Sequence, residues 1–458
     1  MCMRAPLALT ASLVLLVLLA PAARAETFTV ETTGDTSGNP ADCTMPAGTC
    51  TLRAAIVAAA PGDTIVLGAG NYENTGNDFT VGIDEHVSIV GAGARATTVS
   101  EVSGGDGRVF LVEQDARLEL TSLTVSGSRD NAGVLLFGGG NALTATRVAF
   151  SGNTGASGGG AVDGTDGAVT LVESTVSGNS ATASGGGLHV DGAGTLSLIN
   201  ATVTGNSAPS GSGIAVAGGQ ATLTRTTLAG NAGSPDLSVG PAPAAARLEG
   251  TIAGGCSGSA PVSLGFNLDA GGTCGLAAQG DRTGDPLLGP LAAHGGETDT
   301  MALGAASAAV DAGGACPPPA TDQRGIARPQ GAACDAGAFE AEAPPPARLT
   351  ALWVRRVSRR AFRVSYRLDR AARVRFRLLR ARPGRRVGGR CVAARSGRPG
   401  ARGCTRWTRV RISTQQGRVG RNAFRLRARG LRGRHRLVAR PAGGAVVRQT
   451  FRVRRFRP

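Results

Sequence analysis

The chain has 458 residues, with 70 glycines, 3% aromatic residues and nine cysteines, and all 49 of its basic residues are arginine. So much glycine with so little aromatic bulk excludes a core of large side chains and argues for short strands and sharp turns, while the absence of lysine excludes a lysine base or Schiff base. The net charge of +17 hides two opposed parts: residues 1–347 hold 13 arginines against 31 acids, and residues 348–458 hold 36 arginines against the single acid Asp369.

Residues 1–25 read as a secretory signal peptide, with Arg4 in a short basic n-region, an apolar run from Leu7 to Ala20 and a small-x-small cleavage site at Ala23-Arg24-Ala25. No later stretch has ~18 consecutive apolar residues, so no other membrane span is expected. Loss of Cys2 with the signal leaves eight cysteines in neighbouring pairs along the chain: Cys43 with Cys50, Cys256 with Cys274, Cys316 with Cys334, and Cys391 with Cys404. An even count in an exported chain without paired C-x-x-C units favours disulfides over zinc; sequence alone does not fix their connectivity.

Residues 26–67 read as a cap and first strand. Thr51 is the expected N-cap of a helix that places Leu52, Ala55, Ile56 and Ala59 on one face, and Pro61-Gly62-Asp63 ends it. Such a helix can cover the open apolar end of a solenoid. The run CTLRAAI, followed by PGDTIVLGAGNY, resembles the N-terminal CSLREA domain that precedes right-handed parallel β-helices. Ala54 departs from that motif, which has glutamate there, and so loses the residue that would close a capping box with Thr51.

Residues 68–283 carry the repeat. Val125, Phe150, Val176, Val203 and Leu228 recur at spacings of 25, 26, 27 and 25 residues, each followed by a small-residue glycine turn. Apolar residues sit seven before each anchor (Leu118, Leu143, Val169, Leu196, Ala221) and five before it (Leu120, Ala145, Leu171, Leu198, Leu223). Alternation in runs too short for helices predicts three strands per unit, stacked coil upon coil as a right-handed parallel β-helix. Asn153, Asn179, Asn206 and Asn231 recur at one corner, predicting a hydrogen-bonded ladder of asparagines in left-handed conformation.

Residues 284–343 contain GDPLLGPL, HGGET, AVDAG, DQRG and CDAGAFE in order. They resemble the choice-of-anchor Q domain, which follows β-helices in surface proteins, and are expected to form irregular final coils. A proline linker at 344–347 then leads to residues 348–458, where arginine alternates with apolar residues, as in Val374-Arg375-Phe376-Arg377-Leu378. Half-buried strands of this kind predict a small β-sandwich of immunoglobulin or fibronectin type III style.

For chemistry, the acids that follow the triple glycines matter most. Aligning Val162, Val190 and Val216 puts Asp163 and Asp191 in one column of adjacent coils, and these two, with Asp166 and His189 nearby, are the catalytic candidates for a carboxylate-based reaction on a glycan. His189 alternates with inward residues and is expected to face solvent. Arg147 and Arg225 do not sit with these acids. Asp311, Asp322, Arg324, Asp335 and Glu340 read as ion pairs and loop bonds that fix irregular chain, with calcium the one cofactor weighed. The function expected is therefore an exported, non-catalytic surface or matrix protein whose basic domain docks to an anionic envelope or extracellular polysaccharide or to the acidic β-helix itself, nucleic acid not being expected as its evolved partner. The alternative is a polysaccharide lyase or glycoside hydrolase acting on an acidic glycan.

Overall fold

The structure, a computed structural model, describes residues 25–458 except 36–37, 44–48, 83–84, 103–106, 234, 343–344, 359–360, 388, 394–401, 428–430 and 454–458. The expected signal peptide, apart from Ala25, lies outside the described residues. The chain divides into two compact units, Met1–Glu342 and Ala343–Pro458.

The first unit is a parallel β-helix. Its coils contribute to three parallel sheets of ten, eight and ten strands. One coil runs through Leu188–Asp191 in the second sheet, Thr195–Ile199 in the first and Thr202–Thr204 in the third, so each unit of the repeat makes three short strands. The anchors stack in register: Val125 on Phe150, Phe150 on Val176, Val176 on Val203 and Val203 on Leu228. The column seven residues earlier does the same, from Leu118 through Leu143, Val169 and Leu196 to Ala221. These inward side chains are buried in one continuous core. Only alternate residues point inward, so aliphatic side chains fill most of it, with Phe79, Phe110 and Phe150 among its aromatic members.

The cap is built as its residues dictate. Thr51 accepts a hydrogen bond from the Ala54 N–H at 3.1 Å, and the helix Leu52–Ala58 buries Leu52, Ala54, Ala55 and Ile56. Ala59, expected on that face, is half-buried, and Ala54 takes the buried place. Arg53 makes a two-pronged bond to Asp35 and also binds the carbonyls of Asn77 and Asp78, tying the helix to the coil beneath it.

One corner differs from expectation, and a second holds left-handed residues of its own. The asparagine ladder forms, yet the left-handed residue is the glycine before each asparagine, with φ of 66°, 65°, 66° and 76° at Gly152, Gly178, Gly205 and Gly230. Asn153, Asn179 and Asn206 are buried and Asn231 is half-buried; the Asn153 oxygen accepts from the Ser128 N–H, and each later oxygen accepts from the asparagine one coil earlier: Asn153 Nδ2 to Asn179 Oδ1 and Asn179 Nδ2 to Asn206 Oδ1 at 2.9 Å, then Asn206 Nδ2 to Asn231 Oδ1 at 2.8 Å. A second corner holds Ser122, Arg147, Glu173, Asn200 and Arg225 at φ between 51° and 55°.

Residues 284–342 are not further coils. The third sheet ends at Arg282–Thr283, after which Leu288–Ala292 and Thr300–Leu303 pair as an antiparallel hairpin and the rest is irregular. This segment turns back along the helix as a strap. Asp299 reaches Arg95 in an early coil, Thr321 O accepts from Asn200 Nδ2, and the Gly337 N–H reaches Gly250 O. The physical reason is polar: Thr175 and Thr227 of the third sheet supply partners to the strap's backbone at Asp299 O and the Ala338 N–H, and Thr202 donates to the Gln323 side chain.

The second unit is a sandwich of two antiparallel sheets sharing one core. Leu349–Ser358, Ala361–Leu368 and Gly420–Arg427 form one sheet; Gly403–Gly417, Ala372–Val387, Gly433–Pro441 and Val447–Val453 form the other, with Arg390–Ala393 paired to the end of the long strand. Phe362, Val364, Tyr366 and Leu368 from the first sheet meet Val374, Phe376, Leu378 and Leu437 from the second. All four cysteine pairs form disulfides as expected, and Cys391–Cys404 joins the short strand Arg390–Ala393 to Gly403–Gly417. Among the described residues no helix is long and apolar enough to cross a membrane.

Candidate functional site

On the outer face of the second sheet, the two carboxylates named from the sequence do not share a column. Asp163 faces His189, and Asp191 faces Thr165. The alignment on Val162, Val190 and Val216 is two residues out, because Val162 stacks on Leu188 and the inward place opposite Val190 belongs to Gly164. A Cβ at Gly164 would come within 2.9 Å of Val169 Cγ2, so the core admits only glycine there without a shift, and the apolar pattern that sets the register is interrupted.

His189 Nδ1 lies 2.9 Å from Asp163 Oδ1, and both side chains are 12% exposed. His189 points away from the core as expected, but it is packed rather than freely solvated: a Cβ on Gly158 would lie 2.6 Å from Nδ1. Thr165 Oγ1 also donates to Asp163. Asp166 accepts from the Ala193 N–H and Asp191 from the Gly192 N–H, so both serve turns. Phe137, in the row with Thr165 and Asp191, is 67% exposed. The arrangement supplies one oriented imidazole and no pair of converging carboxylates.

The polar cluster of the strap is structural. Arg324 pairs with Asp322 at 2.6 Å and lies over Phe339, its guanidinium carbon 3.6 Å from the ring centre. Arg328 pairs with Glu340 at 3.0 Å, both side chains fully buried. Gln323 donates to Thr175 and Thr298, both at 2.9 Å, and accepts from Thr202 at 2.6 Å, which fixes the strap on the sheet. Burial pushes the Asp335 carboxyl up to about 6, against the hydrogen bonds it accepts from Asp311 and Ala341. Burial lowers Arg225 to about 10, and nearby Arg328 adds to the effect; its guanidinium donates to the carbonyls of Asp335 and Gly313. Arg147 lies 3.1 Å from Glu297 of the strap, so neither arginine serves the second sheet. Among the described residues no group of three or more His, Cys, Asp or Glu side chains is placed to hold a metal ion.

The sandwich carries its charge in ordered rows on its outer faces. Alternation sends Phe362, Val364, Tyr366 and Leu368 inward and Arg363, Ser365 and Arg367 outward. Cross-strand register then sets Arg355 beside Arg363 beside Arg425, Trp353 beside Ser365 beside Ala423, and Arg367 beside Arg421. Among the described residues these five arginines form no ion pair, and Trp353 is 55% exposed. The other outer face carries exposed Arg373, Arg375, Arg377 and Arg440, and Arg436 lies 4.1 Å from the centre of the Trp407 ring. Sequence reading saw the charge but missed the Trp353 row, because only the pairing of three distant strands assembles it.

No family model matches the chain, and no curated protein matches it. Among solved structures it is similar to the crystal structure of pectate lyase Pel9A, at 14% identity and a TM-score of 0.35, over 70% of this chain and 97% of that one.

Proposed function

We propose that the protein is an exported surface or matrix component in which the β-helix is a rigid, non-catalytic scaffold and the arginine-rich sandwich docks to anionic polymer. The observation that carries this is the outer face of the three-stranded sheet, where rows of exposed arginines stand without acidic partners. Arginine binds carboxylate and phosphate through two parallel hydrogen bonds, and a dense cationic surface concentrates polyanions around it. The resemblances of the cap to CSLREA and of the strap to choice-of-anchor Q domains support a surface location, as do four disulfides, which persist in oxidising compartments. The test compares retention of the full chain and of a chain lacking residues 348–458 on intact cells and on an anionic glycan across a salt series. Equal retention of both sinks the docking role.

A second reading rests on the pair His189–Asp163. A carboxylate that accepts from Nδ1–H leaves Nε2 as a base, suited to proton abstraction or water activation on an acidic glycan bound beside Phe137. Purified protein incubated with uronate and neutral glycans, with and without calcium, tests it: product formation that disappears in His189→Gln and Asp163→Asn variants makes the protein an enzyme and displaces the scaffold reading.

A further inference from the structure

The geometry points to a specific binding furrow for a polyuronate chain on the outer face of the three-stranded sheet, with Trp353 as its stacking platform and Arg355, Arg363 and Arg425 as its carboxylate clamps. This rests on the docking role proposed above and names its ligand and its site.

Two adjoining hollows lie on this face. One, of about 600 Å³, is lined by Trp353, Arg355, Arg363, Ser365 and Arg421 among others; the next, of about 410 Å³, is lined by Val357, Arg363, Ala423, Phe424 and Arg425. Both include Arg363 and Ala423, so they form one furrow with Arg363 at its centre. Ala423 has no bulk to divide it, whereas a long side chain there would.

The furrow's chemistry selects its occupant. Arg355, Arg363 and Arg425 are directly opposed on three neighbouring strands, so their backbones are separated by the ~4.8 Å strand spacing. That separation is close to the length of one sugar residue, and a polyuronate offers one carboxylate at every residue. Planar guanidinium and planar carboxylate pair through two parallel hydrogen bonds. Beside this row, Trp353 supplies a flat apolar surface on which no cation among the described residues is stacked, and Ser365 supplies a hydroxyl one position across. Sugar rings present apolar C–H faces to the first and hydroxyls to the second. A single-stranded nucleic acid is the weaker fit, since such sites use successive aromatics for successive bases, and Trp353 is the only tryptophan, tyrosine or phenylalanine pointing outward on this sheet among the described residues.

The test uses the full-length protein with Trp407→Phe, which leaves Trp353 as the one tryptophan of a chain that has two. Polygalacturonate is titrated while tryptophan emission and affinity are followed, with dextran sulfate and oligothymidylate as the competing polyanions. Polygalacturonate is expected to shift Trp353 emission. In the Trp407-containing chain, Trp353→Ala is expected to weaken polygalacturonate binding about tenfold with an unchanged salt slope, as loss of a central aromatic anchor does, and Trp353→Tyr to retain most of the affinity. The Arg355→Ala/Arg363→Ala/Arg425→Ala variant should lose more affinity than Arg373→Ala/Arg375→Ala/Arg440→Ala on the opposite face. Equal losses from the two triple variants with no effect of Trp353→Ala overturn the furrow while leaving the docking role in place. No binding of any polyanion overturns both, and an equal dependence on Trp353 with dextran sulfate or oligothymidylate overturns the polyuronate assignment.

Discussion

Asp236 terminates the asparagine ladder: its Oδ1 accepts both the backbone N–H of Asn231 at 3.0 Å and the Asn231 side-chain Nδ2 at 2.6 Å. Each earlier rung hands its two donors to the next asparagine, and a carboxylate, which needs no further acceptor beyond it, is a suitable last rung. Asp236→Ala takes the acceptor from the half-buried Asn231 N–H and leaves the Asn231 Nδ2 only its bond to Val203 O, and it is expected to cost about 1–3 kcal/mol. Asp236→Asn retains an acceptor and should cost less. Urea unfolding of the two variants checks the order.

Burial raises the carboxyls of Glu173 and Asp236, and that of Asp335 to about 6 from 3.8. A raised acid binds its proton more tightly folded than unfolded, so its stabilising contribution is complete below the unfolded value and is lost as pH rises through the folded one. For Asp335 the window is pH 4 to 6. Thermal midpoints of the wild-type chain should therefore carry a component that falls across this window, and Asp335→Asn should flatten it. A slope unchanged in the variant refutes the assignment.

The pair Arg328–Glu340 holds the strap from within, with Arg328 also donating to Gly337 O and Asn200 Oδ1. Removing one member leaves a buried charge alone, so Glu340→Ala is expected to destabilise by about 3–5 kcal/mol. The loss should appear first as faster amide exchange and proteolysis within residues 284–342, ahead of the coils. Simultaneous replacement of both by apolar residues should recover part of it.

Gly158 has His189 against its α-carbon, and the added Cβ of Gly158→Ala would fall 2.6 Å from Nδ1. The variant is expected to break the bond to Asp163, which is readable in the imidazole nitrogen shifts by NMR. Shifts that match the parent would mean that the ring moves aside with its bond intact.

The solenoid was legible because its cause is local. Apolar residues alternate, glycines recur, and residues at the same phase of each repeat must stack, so Val125 and Leu118 identify their columns without any structure. The second-sheet register was not, since Gly164 occupies an inward position where the pattern requires an apolar side chain, and the count slips by two at Asp163 and Asp191. The strap escaped for another reason: Gln323 is 148 residues from Thr175, and no periodicity relates them.

The sequence alone determined the coiled parallel strands, the capping helix and the split between an acidic and a basic part, each being set by spacing, alternation or composition along the chain, while the connectivity of the eight neighbouring cysteines was settled only by the structure. Only the tertiary structure decided that His189 meets Asp163, that residues 284–342 turn back over the helix, and that Trp353 lies beside a row of three arginines. These relationships join segments whose meeting depends on strand register and on where buried polar groups find partners, and neither is written in any one stretch of sequence.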